Sequence, residues 1–193
     1  VADREILTVN AALGRRDLDE AGVWVERPDV PPPDECPRRP PRLPGTESIQ
    51  NRIDLRLANA RNWEELEGNP MPGGRSQLWA RMPDLLDLSS GASLAILGDY
   101  VPFGIGQALG RNGGGNSLDN TLRVYRLVPT EWVLLDIRIH AVANGFGHGV
   151  VHLWAEDGTL LATASQSTIV RLFPAGTTLE SLRAARDGRG ERD

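Results

Sequence analysis

The stretch from Ala92 to Leu109 (ASLAILGDYVPFGIGQAL) most constrains what this chain can become. It is nearly apolar on every side, and a helix without a clear polar face has to be buried around most of its circumference. Asp87, Ser89 or Ser90 can cap its start; the helix is expected to run through Tyr100, break near Pro102 and continue to about Leu109. A curved sheet can cover such a helix, so the remaining chain has to supply strands.

It does so on both sides. Upstream, Ile53-Asp54-Leu55-Arg56-Leu57 alternates apolar and charged residues, Ser76 to Met82 is a second strand candidate, and the Gly68 to Gly74 region between them is a loop. Downstream, Asn112 to Asn116 (NGGGN) is expected to be a turn that closes the helix. A strand follows with Leu118, Leu122 and Val124 opposite Asp119, Thr121, Arg123 and Tyr125. Val133 to Ala143 places Val133, Leu135, Ile137 and Ile139 on one face and Asp136, Arg138 and His140 on the other. Asn144-Gly145 turns into Gly149 to Ala155, and Glu156-Asp157-Gly158 turns into Thr159 to Arg171. The pattern is an α+β fold with an antiparallel meander.

The expected organisation has four parts. Residues 1–27 read like the end of a preceding unit, 28–48 as a proline-rich extended linker, 49–175 as the main domain and 176–193 as a polar tail with a short helix that frays. An apolar content of 40% suits a packed core, and 193 residues suit one domain. Twenty-six acidic side chains against 21 basic ones, interspersed, leave no clustered positive charge for a nucleic-acid partner. Every basic residue is arginine, which reflects base composition of the source more than a binding role. One cysteine, Cys36, rules out an internal disulfide and points to a cytoplasmic setting. No run approaches the roughly 18 apolar residues of a membrane span, and VADREIL lacks the layout of a signal peptide, so a soluble chain without a membrane partner is expected.

Three polar positions invite chemistry. Asp119, in SLDN after the glycines, can act as a general base toward water, or bond nearby backbone donors only. Gln166, in ASQST, can hold a water if buried, or face solvent at an edge. His140, His148 and His152 share one hairpin; with no cysteine nearby and no established ligand spacing, they argue against zinc, and His140 can serve in proton transfer or hydrogen bonding. NGGGN precedes a strand, which removes the phosphate cradle of a helix N-terminus, and there is no G-x-S-x-G elbow.

SLDN, EWVLLDIRIHAVANGFGHG and EDGTLLATASQSTIVR, in that order, resemble the C-terminal half of the acyl-CoA thioesterase II family, and SGASLAILGDYVPFGIGQAL extends the resemblance upstream. It covers roughly Ile53 to Arg171. The resemblance implies a hotdog fold, an antiparallel sheet wrapped around a long central helix. It also implies that a second hotdog half, or another copy of the chain, is the partner. The family hydrolyses acyl-CoA thioesters with a water held by an aspartate, a glutamine and a hydroxyl residue. By motif position these fall on Asp119, Gln166 and His140, the last a departure from the expected threonine. No metal or redox cofactor is implied. A non-catalytic acyl-binding or structural module is the alternative, and a hydratase a third reading that the motif positions do not favour.

Overall fold

The computed structural model describes residues 8–14, 16–40, 48–83, 87 and 90–190, with side chains to residue 184. Seven strands form a single antiparallel sheet: β1 (Asp54–Asn59), β2 (Arg75–Arg81), β3 (Gly113–Ser117), β4 (Thr121–Val124), β5 (Val133–Ala143), β6 (Phe146–Ala155) and β7 (Leu160–Leu172). Their order is β1-β2-β5-β6-β7-β3, with β4 also on β7. The helices are α1 (Trp63–Leu66), α2 (Gly91–Leu97), α3 (Val101–Leu109) and α4 (Leu179–Gly190). Among the described residues no helix is long and apolar enough to cross a membrane.

The predicted central helix forms as two pieces. The Ser90 side chain accepts from the Ser93 amide to cap α2, and Pro102 sits in the first turn of α3, where its missing N–H costs nothing. In succession, α2 and α3 present Leu94, Leu97, Val101 and Ile105 to the core that Leu135, Ile137, Val151, Leu153 and Ala164 also form, all buried. Since α3 touches β2, β3, β5, β6 and β7, the sheet wraps it. Gly104 makes this approach possible. A Cβ there would overlap Ile137 Cγ2 and lie 3.0 Å from Ile139 Cδ1. Gly104→Ala is therefore expected to destabilise the protein by about 1–3 kcal/mol, even after the helix-propensity gain. Urea denaturation measures this directly.

Three sequence expectations change. Asn112 to Asn116 is not a turn: Gly113–Ser117 forms β3, paired with β7 from Gly113↔Leu172 to Ser117↔Thr168. The glycines let the strand lie where side chains do not fit, because a Cβ on Gly113 would stand 2.6 Å from the Arg171 carbonyl oxygen and one on Gly115 2.7 Å from that of Ile169. The expected first strand accordingly begins later, at Thr121. The helix breaks earlier than expected, at Gly98 to Tyr100, with Pro102 inside the first turn of α3, and it ends at Leu109 as expected. The Asn144-Gly145 turn follows expectation, with positive φ at both residues (52° and 79°), the conformation a two-residue hairpin needs.

The described part of the proline-rich stretch, residues 28–40, carries one 3-10 turn at Pro33–Glu35, and it is docked. Val25, Val30 and Cys36 pack on Trp79, Trp132, Leu134, Trp154 and Leu160, the sheet face that the helices do not cover. Trp79 Nε1 donates to the Pro31 carbonyl at 2.9 Å, and Arg39 N and the Pro37 carbonyl bond Leu55 O and Leu57 N of β1 at 2.9 Å each. Tryptophans on the outer face supply apolar area that a short proline-rich segment can cover without forming a strand of its own. Of the opening residues, 1–7 lie outside the described residues, and 8–13 carry no regular structure.

Candidate active site

Alternation along the strands assigns each polar residue to a face. Gln166 pairs with Gly149 and Ala164 with Val151, on the helix-covered side, whereas Ser165 pairs with Val150 and Ser167 with His148, on the other. A fully buried glutamine therefore points at the helices from the middle of β7. Its Nε2 donates to Asp99 Oδ1 and also to Ser117 Oγ, the latter at 2.8 Å, while Ser117 Oγ donates to the same Asp99 oxygen at 2.8 Å. Asp99 comes from the link between α2 and α3, and Ser117 from the last position of β3.

The Gln166 Oε1 is buried and has no hydrogen-bond partner. Gln107, a second buried glutamine on the helix side, provides the contrast. Its Oε1 accepts from Arg61 N at 2.8 Å and its Nε2 donates to Arg61 O at 3.0 Å, so both ends serve to clamp α3 to the segment after β1. An unpaired buried acceptor costs free energy, and one that is retained beside an ordered donor network is suited to receiving a hydrogen from a bound molecule.

Asp119 lies at an interruption of the sheet edge across from this glutamine. Between the pairs Ser117↔Thr168 and Thr121↔Ser165, three residues (118–120) oppose two (166 and 167), a bulge. Bulges re-aim side chains. Here the Asp119 carboxylate turns back to accept from Ser167 N at 2.9 Å, standing where a strand carbonyl would. Asp119 is exposed. The structure thus brings Asp119 and Gln166 to one section of β7, with Asp119 bonded to the neighbouring backbone.

His140 lies elsewhere. Its ring packs on His148 with centroids 5.2 Å apart, and His148 Nε2 is 3.2 Å from Ser165 Oγ, on the face opposite the Gln166 side chain. That face carries a polar row of its own: Asn59 Nδ2 donates to Gln77 Oε1 at 2.6 Å, and Gln77 Nε2 to Asp136 Oδ1 at 2.7 Å. Arg138 Nε donates to Asp136 Oδ2 at 2.8 Å. A cleft of about 820 Å³ beside it is lined by Trp24, Arg27, Arg75, Gln77 and Arg138 among others.

His152, beside this row, is buried, and its Nδ1 is 4.0 Å from Asp136 Oδ2. Burial lowers its pKa below the ordinary 6.5, as do Arg138, Arg75 and His140, against the opposing pull of Asp136. Below about pH 6.5 the unfolded chain binds a proton there that the folded chain resists, so stability should fall as pH drops through this region and be unaffected by the residue above it. Comparing urea unfolding at several pH values, with His152→Gln expected to flatten the slope, checks this.

Sequence reasoning missed Asp99 and Ser117. A signal was present, because Asp99 is the one charged residue between Gly91 and Gly110. Nothing in the sequence, however, shows that a helix break delivers it to β7.

Residues 33–170 match the acyl-CoA thioesterase C-terminal domain family. Among solved structures, the chain is similar to a protein of Novosphingobium aromaticivorans provisionally described as a thioesterase, with 38% identity and a TM-score of 0.65 over 81% of this chain and 58% of that one. A hotdog protein of unknown function from Alicyclobacillus acidocaldarius aligns at 22% identity and a TM-score of 0.66, covering 82% and 59%. The acyl-CoA thioesterase II TesB2 of Mycobacterium marinum aligns at 23% and 0.52, covering 81% and 61%. The chain therefore spans less than two thirds of the length of each of these proteins. No match was found among curated proteins. The sheet wrapped on the two-piece helix is the hotdog fold, and with the family match running from the docked proline segment through nearly all of β7, the chain belongs to the acyl-CoA thioesterase C-terminal domain family.

Proposed function

We propose that this chain hydrolyses acyl-CoA thioesters to a free acid and CoA at the Gln166 end of the sheet. The observation that carries the reading is the buried, unpartnered Gln166 Oε1 across the strand edge from the Asp119 bulge. In the proposed step a water donates one hydrogen bond to Gln166 Oε1. Asp119 accepts its other proton as the water oxygen bonds the thioester carbonyl carbon. The C–S bond then breaks, and the departing sulfur takes the proton from Asp119, leaving acid and thiol. Asp119 exchanges its Ser167 amide contact for the water in this scheme. The family's hydroxyl position falls on His140, whose placement on the other face supports a role with His148 and leaves the water to Gln166 and Asp119.

A partner hotdog half, or a second copy of the chain, belongs to the proposal. The β3–β4 edge carries exposed Leu118, Val124, Tyr125 and Leu127, an apolar margin beside the site that such a partner would cover. The Cys36 thiol, buried and free, has its pKa raised chiefly by that burial, and an inert thiol fits the proposed cytoplasmic setting.

Free-thiol release from a panel of acyl-CoAs of graded chain length tests the reading. Hydrolysis of at least one substrate is expected. A folded chain that binds acyl-CoA yet releases no thiol would instead establish the second reading, a non-catalytic acyl-binding module. That reading is favoured by the exposure of Asp119 and by His140 facing away.

A further inference from the structure

We propose that Asp99 is a positioning residue that, with Ser117, locks the Gln166 side chain in the orientation that presents its carbonyl oxygen to the reacting water. The inference rests on the thioesterase reading above for its function, though not for its geometry. A glutamine amide can be turned end for end with little change in shape, and which end faces a ligand depends on what holds the other. A carboxylate can only accept. Asp99 Oδ1 therefore selects Nε2, and it also receives the Ser117 hydroxyl proton, which turns the Ser117 lone pairs toward the second Nε2 hydrogen at 2.8 Å. Both donors of the amide are then used, and Oε1 is left as an acceptor in a buried position.

The arrangement has a reason in the fold. Gly98, the residue that caps the C-terminus of α2 at the break, lies so close to β7 that a Cβ would stand 2.8 Å from Ala164 Cβ, and this approach carries Asp99 to the glutamine two positions along. Without the acceptor, Ser117 alone can either donate to or accept from the amide. Both orientations of Gln166 then become available, and one of them aims NH2 at the water, where it cannot accept the hydrogen.

The test compares the parent chain with Asp99→Ala and Asp99→Asn, each checked for fold by circular dichroism and thermal unfolding. Asparagine retains an oxygen that can accept from Nε2, so Asp99→Asn should keep kcat within about tenfold of the parent, a charged acceptor having been exchanged for a neutral one. Asp99→Ala should lose about 100-fold in kcat with KM nearly unchanged, as misplacement of a group that acts in the transition state requires. If the asparagine variant is as impaired as the alanine variant, the carboxylate is needed for its charge or as a base, and the positioning role is overturned. Parental kcat in Asp99→Ala overturns it equally. A readout independent of turnover is the Gln166 side-chain amide proton resonances, identified by their loss in Gln166→Ala. They should move toward free-glutamine positions in Asp99→Ala and much less in Asp99→Asn. If the parent hydrolyses no thioester, the functional reading fails while these resonances still decide the geometry. Unchanged resonances in Asp99→Ala overturn it.

Discussion

Gln166→Ala should lower turnover of the best acyl-CoA substrate by about 10²- to 10³-fold, the range found when one preorganised polar contact to a reacting group is removed. The side chain is fully buried, and only its Oε1 is uncommitted. Removing it deletes the acceptor for the water but leaves Asp99 and Ser117 bonded to each other at 2.8 Å, so the fold should survive with a loss of about 1–2 kcal/mol. Gln166→Glu provides a sharper comparison. It preserves shape while placing a second carboxylate, at a buried position, against the exposed Asp99, and like charges in contact oppose joint ionisation. Near neutral pH it should therefore also be impaired. Thiol-release kinetics beside a thermal unfolding curve separate lost chemistry from lost structure, and full activity in Gln166→Ala would refute the proposed site.

The largest stability effect is expected at Asp136. This carboxylate is completely buried on the outer face and receives Gln77 Nε2 at 2.7 Å and Arg138 Nη2 at 2.7 Å, with Arg75 Nη2 at 3.4 Å. Alanine there leaves the Gln77 donor unpaired and two cations without their anion. Breaking one partner of a buried ion pair costs about 3–5 kcal/mol. Arg75 and Arg138 are 44% and 29% exposed and can recover part of their hydration, so the lower end, about 3 kcal/mol, is expected. For a chain of this size that is a fall of roughly 10 °C in Tm. Asp136→Asn, which keeps an acceptor for Gln77, should lose less. Calorimetry of the three proteins measures both, and a change below about 1 kcal/mol in Asp136→Ala would show that the row contributes little beyond satisfying itself.

What was legible in the sequence is what local pattern controls. Alternation over Val133 to Ala143 assigned both faces of β5 and placed its boundaries, because a buried face leaves no freedom of register. Asn144-Gly145 fixed the hairpin because both residues tolerate positive φ. An apolar run interrupted by Pro102 predicted buried helix, and the ordered motifs indicated the family. The glycines at 113–115 misled, since glycine signals a turn from sequence and a close strand approach only once β7 and α3 are seen beside it.

The site depended on distances that no local pattern contains. Gln166 was found from its polarity within an apolar strand, but its partners Asp99 and Ser117 lie 67 and 49 residues away and meet it only because the helix break packs on β7. His140 is legible in part: its motif position puts it in line with the family hydroxyl, while alternation along β5 already assigns it to the outer face with Asp136 and Arg138, and the tertiary structure adds its ring contact with His148. Sequence by itself determined the long strands of the meander, the buried helical region and the family, all consequences of short-range periodicity and ordered motifs. Tertiary structure alone decided which polar groups share a hydrogen-bond network, because that is set by how closely helix and sheet approach.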